Sequence, residues 1–179
     1  MRIFPLQVIL LLNILWGEPL YSQKSQVRSE LQLKAAFLLK TLRYVTWPAD
    51  SVKADSTPTT LVIVGNRKYL PVIRKLAVSL YGPDSINVKF CRDLEEIEGA
   101  DIIFLSKGEG PTTQMVVRRF YGKPVLIVSE KAWDIRYGVH LAFFWQWDYL
   151  CILANPRAFR RSHLKVSSRL LRLAVIWEK

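Results

Sequence analysis

Four short runs, "TLVIVG", "INVKFC", "ADIIFLS" and "PVLIVS", place the strongest constraint on what this chain can fold into. Each is rich in Val, Ile and Leu and shows little polar alternation, the pattern of strands covered on both faces in a parallel sheet. Between them stand helix-like stretches: "YLPVIRKLAVSLYG", the short acidic "DLEEIEG" and "TTQMVVRRFYG". Two of these end in Tyr-Gly, with glycine placed as a helix C-terminal cap. The βαβαβαβ order predicts a layered α/β sheet of about four parallel strands with right-handed crossovers.

After Ser129 the rhythm changes. "VHLAFFWQ" and "DYLCILAN" are separated only by a tight connection near Gln146 to Asp148, which predicts an antiparallel hairpin added beyond the fourth strand. "NPRAFRRSHLKVSSRLLRLAVIWEK" then reads as a closing helix, with Asn155 as N-cap and Pro156 at its first position. Phe159, Val166, Leu170, Leu173 and Trp177 would line its inner side. At the other end, Leu31, Ala35, Leu38, Leu42 and Val45 recur at helical spacing, so a mostly buried helix is expected over residues 26–44, with Pro48 ending it.

Residues 1–22 have the form of a cleaved export signal: Arg2, an apolar stretch from Ile3 to Trp16, then the breakers Gly17 and Pro19. Spanning a bilayer takes about 20 apolar residues, and this stretch is shorter. Residues 23–179 are then one mature domain in the periplasm. Removing the leader takes away one base, Arg2, and one acid, Glu18, so the net charge of +11 is unchanged. In a cytosolic protein that balance would point to nucleic acid. Export excludes that partner and leaves membranes, anionic polymers or an acidic protein face.

The two ends of the chain together carry a resemblance. "LKAAFLLKTLRYVTWP", with Trp47 and Pro48, stands near the mature start. "VLIVSEKAW", with Ser129 and Glu130, "LAN", and "LKVSSRLLRLA", with Ser167, Ser168, Leu170, Leu171, Leu173 and Ala174, stand near the end. This ordered set resembles the YfiR family of exported bacterial proteins over about residues 31–176. The resemblance implies a mixed α/β domain in the periplasm. In the family's best-understood member it implies an inhibitor that binds the periplasmic part of a membrane-bound diguanylate cyclase and holds cyclic-di-GMP synthesis down. The chain departs from the family pattern in three places. Ala100 or Asp101 stands where many members have cysteine, so a family disulfide cannot form there. Tyr137-Gly138 replaces Gly-Gly, and "DYLCILAN" is apolar where members are usually polar and basic.

Candidate surfaces and sites follow from the residues themselves. Arg161, Lys165, Arg169 and Arg172, spaced by four, four and three, would form a basic strip on one face of the closing helix, fit for an acidic partner or anionic headgroups. Trp47, held by Pro48, would cover the sheet edge with its indole N–H reaching a loop carbonyl, or serve as a partner's anchor. Ser106, Ser129 and Glu130, with Asp134, would gather at the carboxyl ends of the strands, where open α/β sheets bind ligands. If the four runs are ordered second, first, third, fourth with the hairpin beyond the fourth, Cys91 and Cys151 lie at opposite edges of the sheet, which disfavours a bridge between them. An enzyme is not expected. His140 and His163 stand in no zinc-protease spacing, no G-x-S-x-G elbow occurs, and "VGNRKYL" lacks a phosphate loop. No cofactor or metal is implied, and self-association into a homodimer stays open.

Overall fold

The computed structural model describes residues 20–49 and 57–178, with side chains from Ser29 onward. Most of the expected export signal and much of the loop after Pro48 lie outside the described residues. The first helix, α1, spans Leu20–Leu42 and is followed by a two-residue strand, β1, Val45–Thr46. Then come β2 (Thr59–Val64), α2 (Tyr69–Tyr81), β3 (Ile86–Cys91), β4 (Ile102–Leu105), α3 (Thr113–Arg119) and β5 (Leu126–Ser129). A 3-10 helix, Ala132–Tyr137, leads into the hairpin β6 (Leu141–Gln146) and β7 (Tyr149–Ala154). The chain closes through α4 (Pro156–Arg161), β8 (Lys165–Val166), α5 (Ser168–Leu173) and β9 (Val175–Ile176).

The main sheet has seven strands in the order β3-β2-β4-β5-β6-β7-β9. β3, β2, β4, β5 and β6 run parallel, β7 returns antiparallel, and β9 lies parallel beside β7. The four parallel runs and the added hairpin are therefore both present, and the runs take the order second, first, third, fourth. β9 is an addition. Alternation along each strand sends side chains to two separate cores. Leu61 and Ile63 of β2 face the layer of α1 and α2, with Leu38, Leu39 and Ile73. Val62 and Val64 face the layer of α3 and the 3-10 helix, with Val116 and Ile135.

Three predicted helices differ. α1 begins at Leu20 and ends at Leu42, before Pro48 is reached. Arg43 and Tyr44 donate to Lys40 O and Thr41 O, tightening the last turn, and Val45 then goes extended to pair with Val166 of β8. The acidic stretch after Cys91 is no helix but a set of turns. The Glu96 side chain accepts from Arg92 N–H, and a run this short cannot repay helix nucleation.

The closing helix is also interrupted. After Arg161 the chain enters a left-handed residue, His163 at φ 59°. Leu164 N–H donates to Phe159 O and His163 N–H to Arg160 O, which is the Schellman termination, and Phe159 and Leu164 are buried together in one core. β8 then pairs with β1, and Ser167 caps α5 by accepting from Arg169 N–H. The pairing Val45↔Val166 and Thr46↔Lys165 clasps the start of the domain to its end. Trp47 follows that clasp and packs, half-buried, against the α1 and α2 core.

Candidate functional site at the carboxyl end of the sheet

From β2 the chain moves outward to β3, and from β3 it crosses back to β4 on the other side, so the switch point lies between the carboxyl ends of β2 and β4. Here the two loops are bonded to each other. Ser106 Oγ donates to Val64 O at 2.8 Å and accepts from Asn66 N–H at 2.7 Å. Gly65 bridges to Glu109. A side chain at Gly65, φ 102°, would stand 2.3 Å from Ser106 O, and one at Gly108 would stand 2.6 Å from the Gly65 carbonyl carbon, so glycine is required for this approach. Beside the closed junction lies a cleft of about 380 Å³ whose walls include Ser106, Thr112, Gln114, Lys131 and Tyr137.

Ser129 and Glu130 are placed differently from expectation. Ser129 is fully buried; its Oγ donates to Asp134 Oδ2 at 2.6 Å and accepts from Lys131 N–H at 3.0 Å, while Thr113 Oγ1 donates to the same carboxylate oxygen at 2.8 Å. This network fixes the 3-10 helix to β5 and to α3. Glu130, next in sequence and therefore on the opposite face, points to the α1 and α2 layer. Its Oε1 accepts from Lys34 Nζ at 2.7 Å and from the Tyr69 hydroxyl at 3.1 Å, and its Oε2 accepts from Lys107 N–H at 2.8 Å. Of the four residues expected to gather there, Ser106 and Asp134 line the cleft, while Ser129 and Glu130 do not.

Lys34 and Tyr69, both buried, and the part-exposed Glu30 complete an ionic centre with Glu130 that was not anticipated from the residues. Lys34 is 2% exposed and pairs with both Glu130 and Glu30. Burial pulls the Lys34 ammonium down, but the bonds and charges of Glu130 and Glu30 outweigh it and hold the pKa above the usual lysine value. The bond from Lys34 holds the Glu30 carboxyl below its ordinary range. Burial, then the Glu130 charge, drive the Tyr69 hydroxyl far upward. A lysine between Leu33 and Ala35 in an apolar helix, four residues after a glutamate, was the available signal.

His140 is buried, its Nδ1 accepting from Ile127 N–H at 3.0 Å. That bond places the proton on Nε2, which faces Ser162 Oγ at 2.7 Å. Burial, with the Arg161 charge nearby, brings its pKa down to about 3. His140 is thus a neutral core residue engaged by Ile127 and Ser162, and His163 is exposed on the other side of the α4 turn. Among the described residues no group of three or more His, Cys, Asp or Glu side chains could hold a metal ion. Cys91 and Cys151 are free thiols on β3 and β7 with four strands between them; Cys91 is on the edge strand as expected, but β9 pairs outside β7, so Cys151 is not.

The basic strip does not exist as one helical face, because α4 and α5 are separate helices. Arg161 is half-buried, stacked 4.5 Å over the Tyr121 ring and donating to Gly138 O. Lys165 lies in β8, and Arg169 and Arg172 are exposed on α5. On the same segment Leu173 is 75% and Val175 50% exposed, among the polar Ser168 and Glu178. The Trp47 indole N–H is buried and meets no acceptor among the described residues, in place of the expected loop carbonyl.

These features define a doubly wound α/β domain whose strand-end polar side chains are engaged with one another. A family model described as YfiR/HmsC-like matches residues 31–175, and the chain belongs to that family. The family is regulatory in character, typically periplasmic, and associated with cyclic-di-GMP signalling. No curated protein matches the chain. Among the described residues no helix is long and apolar enough to cross a membrane.

Proposed function

We propose that the protein is a non-enzymatic periplasmic regulator that binds the outward-facing domain of a membrane-bound diguanylate cyclase and holds cyclic-di-GMP synthesis down. Family membership supports the pathway, and the engagement of Ser106, Ser129, Glu130 and Asp134 by protein partners supports binding over catalysis. The observation that carries the reading is the mixed surface at the end of the chain. Arg169 and Arg172 are exposed beside Leu173 and Val175, the combination of cation and desolvatable apolar area that centres a protein interface. Binding there would act by population shift, limited by the differential affinity for the partner's two states.

The test is affinity capture of the tagged protein from its own membranes, with an Arg169→Glu, Arg172→Glu variant alongside. Recovery of a cyclase that the variant loses supports the reading, and recovery of no membrane protein overturns it. A second reading, a small-ligand sensor, is favoured by the cleft beside the switch point. It predicts a metabolite released when the purified protein is denatured, detected by mass spectrometry.

A further inference from the structure

The hairpin is longer than the sheet it joins. The last pair between β5 and β6 is Ser129↔Ala142, yet β6 continues four residues to Gln146 with β7 alone beside it. At a rise of about 3.3 Å per residue the arm projects roughly 13 Å past the end of β5. Its tip is aromatic: Trp145 is 42%, Trp147 88% and Tyr149 75% exposed. Trp147 occupies φ 55°, a left-handed position that a bulky residue rarely takes and that glycine or asparagine would fill at lower cost. Local folding preference therefore does not account for a tryptophan there.

We propose that this arm docks the domain on an anionic phospholipid bilayer, a property beyond the regulatory reading and independent of any cyclase. The residue types favour a headgroup layer. Trp and Tyr each carry an apolar ring and one polar group, and they concentrate at membrane interfaces, whereas Leu and Ile fill the hydrocarbon. A third exposed tryptophan, Trp133, stands four residues past the end of β5, with the Arg136 guanidinium 4.0 Å from its ring centre. Charge matches a negative surface. The chain carries +11 overall, and the exposed Lys107 and Lys131 follow β4 and β5 at the same end of the sheet as the arm.

α1 contributes in the same direction. Glu30 accepts from Trp145 Nε1, Lys34 reaches Glu130 at the end of β5, and Leu39 lies further along beside Tyr81. The helix therefore approaches the arm toward its beginning. Its backbone from residue 23 to Glu30 continues about 10 Å further in that direction at a rise of about 1.5 Å per residue. The acids nearby are mostly engaged: Glu30 and Glu130 pair with Lys34, Asp134 accepts from Ser129 and Thr113, and Asp148 in the turn and Glu109 are exposed. The α5 surface lies by contrast near the Ala154 end of β7, about 17 Å back along the strand. The arm can thus touch lipid while that surface stays clear.

The experiment is co-sedimentation of the purified full-length mature protein with vesicles of phosphatidylethanolamine and phosphatidylglycerol, and separately of phosphatidylcholine alone, with tryptophan emission recorded in each. The expected result is binding to the anionic vesicles, a blue shift of emission, and loss of both in high salt. Trp147→Ala with Tyr149→Ala, both at exposed positions, should weaken partition by roughly tenfold or more while the circular dichroism spectrum is unchanged. Lys107→Glu with Lys131→Glu should weaken it without abolishing the shift. No sedimentation with either vesicle, equal binding to both, or binding unaffected by the tip variants overturns the proposal. A dimer in sedimentation equilibrium that the tip variants dissociate, with no vesicle binding, also overturns it and assigns the arm to a second copy of this chain.

Discussion

His163 ends α4 in a left-handed conformation at φ 59°, with its side chain exposed. An L-residue there costs about 1 kcal/mol that glycine avoids. His163→Gly is therefore expected to raise the unfolding free energy by about 1 kcal/mol, read as a higher urea midpoint at unchanged slope. His140 makes the opposite kind of prediction. Its folded pKa of about 3 lies below the ordinary histidine value of 6.5, so between those limits the unfolded chain binds the extra proton. Stability from this group is complete above pH 6.5 and is lost as pH falls toward 3. Urea midpoints measured from pH 7 to 4 should fall in the wild type and fall less steeply in His140→Gln, whatever that variant costs at neutral pH. Neither role was legible in the residues. A histidine is an uncommon Schellman residue, and His140 became a core residue only when Ile127 and Ser162 met it from distant positions.

At the scale of elements, the centre formed by Lys34, Glu130, Glu30 and Tyr69 joins α1 to α2 and to the ends of β4 and β5. Removing one charge leaves its partner buried and unpaired. Lys34→Met is expected to cost about 3 kcal/mol, and the double variant Lys34→Met, Glu130→Gln should recover part of that loss. The failure of additivity in a double-mutant cycle is the measurement. Lys34 and Tyr69 are both held protonated above their ordinary values, so their contribution is full below about pH 10 and declines as pH rises beyond it. Alkaline unfolding should accordingly begin near pH 10, and the double variant should show a shallower decline. The Ser129-Glu130 pair explains itself here: consecutive strand-end residues face opposite layers, one binding Asp134 and the other Lys34.

At the scale of the molecule, the β1 and β8 clasp ties the start of the domain to its end, and β9 completes the sheet beside β7. Truncation after Leu164 removes β8, α5 and β9 together. The expected outcome is loss of hydrogen-exchange protection at Val45, lowered thermal stability, and exposure of the β7 edge, visible as concentration-dependent association. Substitution of Arg169 and Arg172 should leave the fold intact, since both are exposed.

The sequence by itself determined the sheet. Unbroken runs of Val, Ile and Leu can be satisfied only by covering both faces, which made the parallel strands and their helical crossovers legible, while the tight connection after Gln146 marked the hairpin. It also carried the family, because Trp47, Pro48, Ser129, Glu130 and the Ser167–Ala174 segment stand in order along the chain. Only the tertiary structure decided how the last stretch is divided. The residues from Asn155 onward have helical periodicity, yet burial of Phe159 with Leu164 and the pairing of Val166 with Val45 outweigh it. The same holds for the site. Lys34 meets Glu130 across 96 positions of sequence, and the arm projects because β5 stops while β6 continues. Local periodicity reports which face of an element is apolar; it holds no information about which distant polar group arrives to meet it.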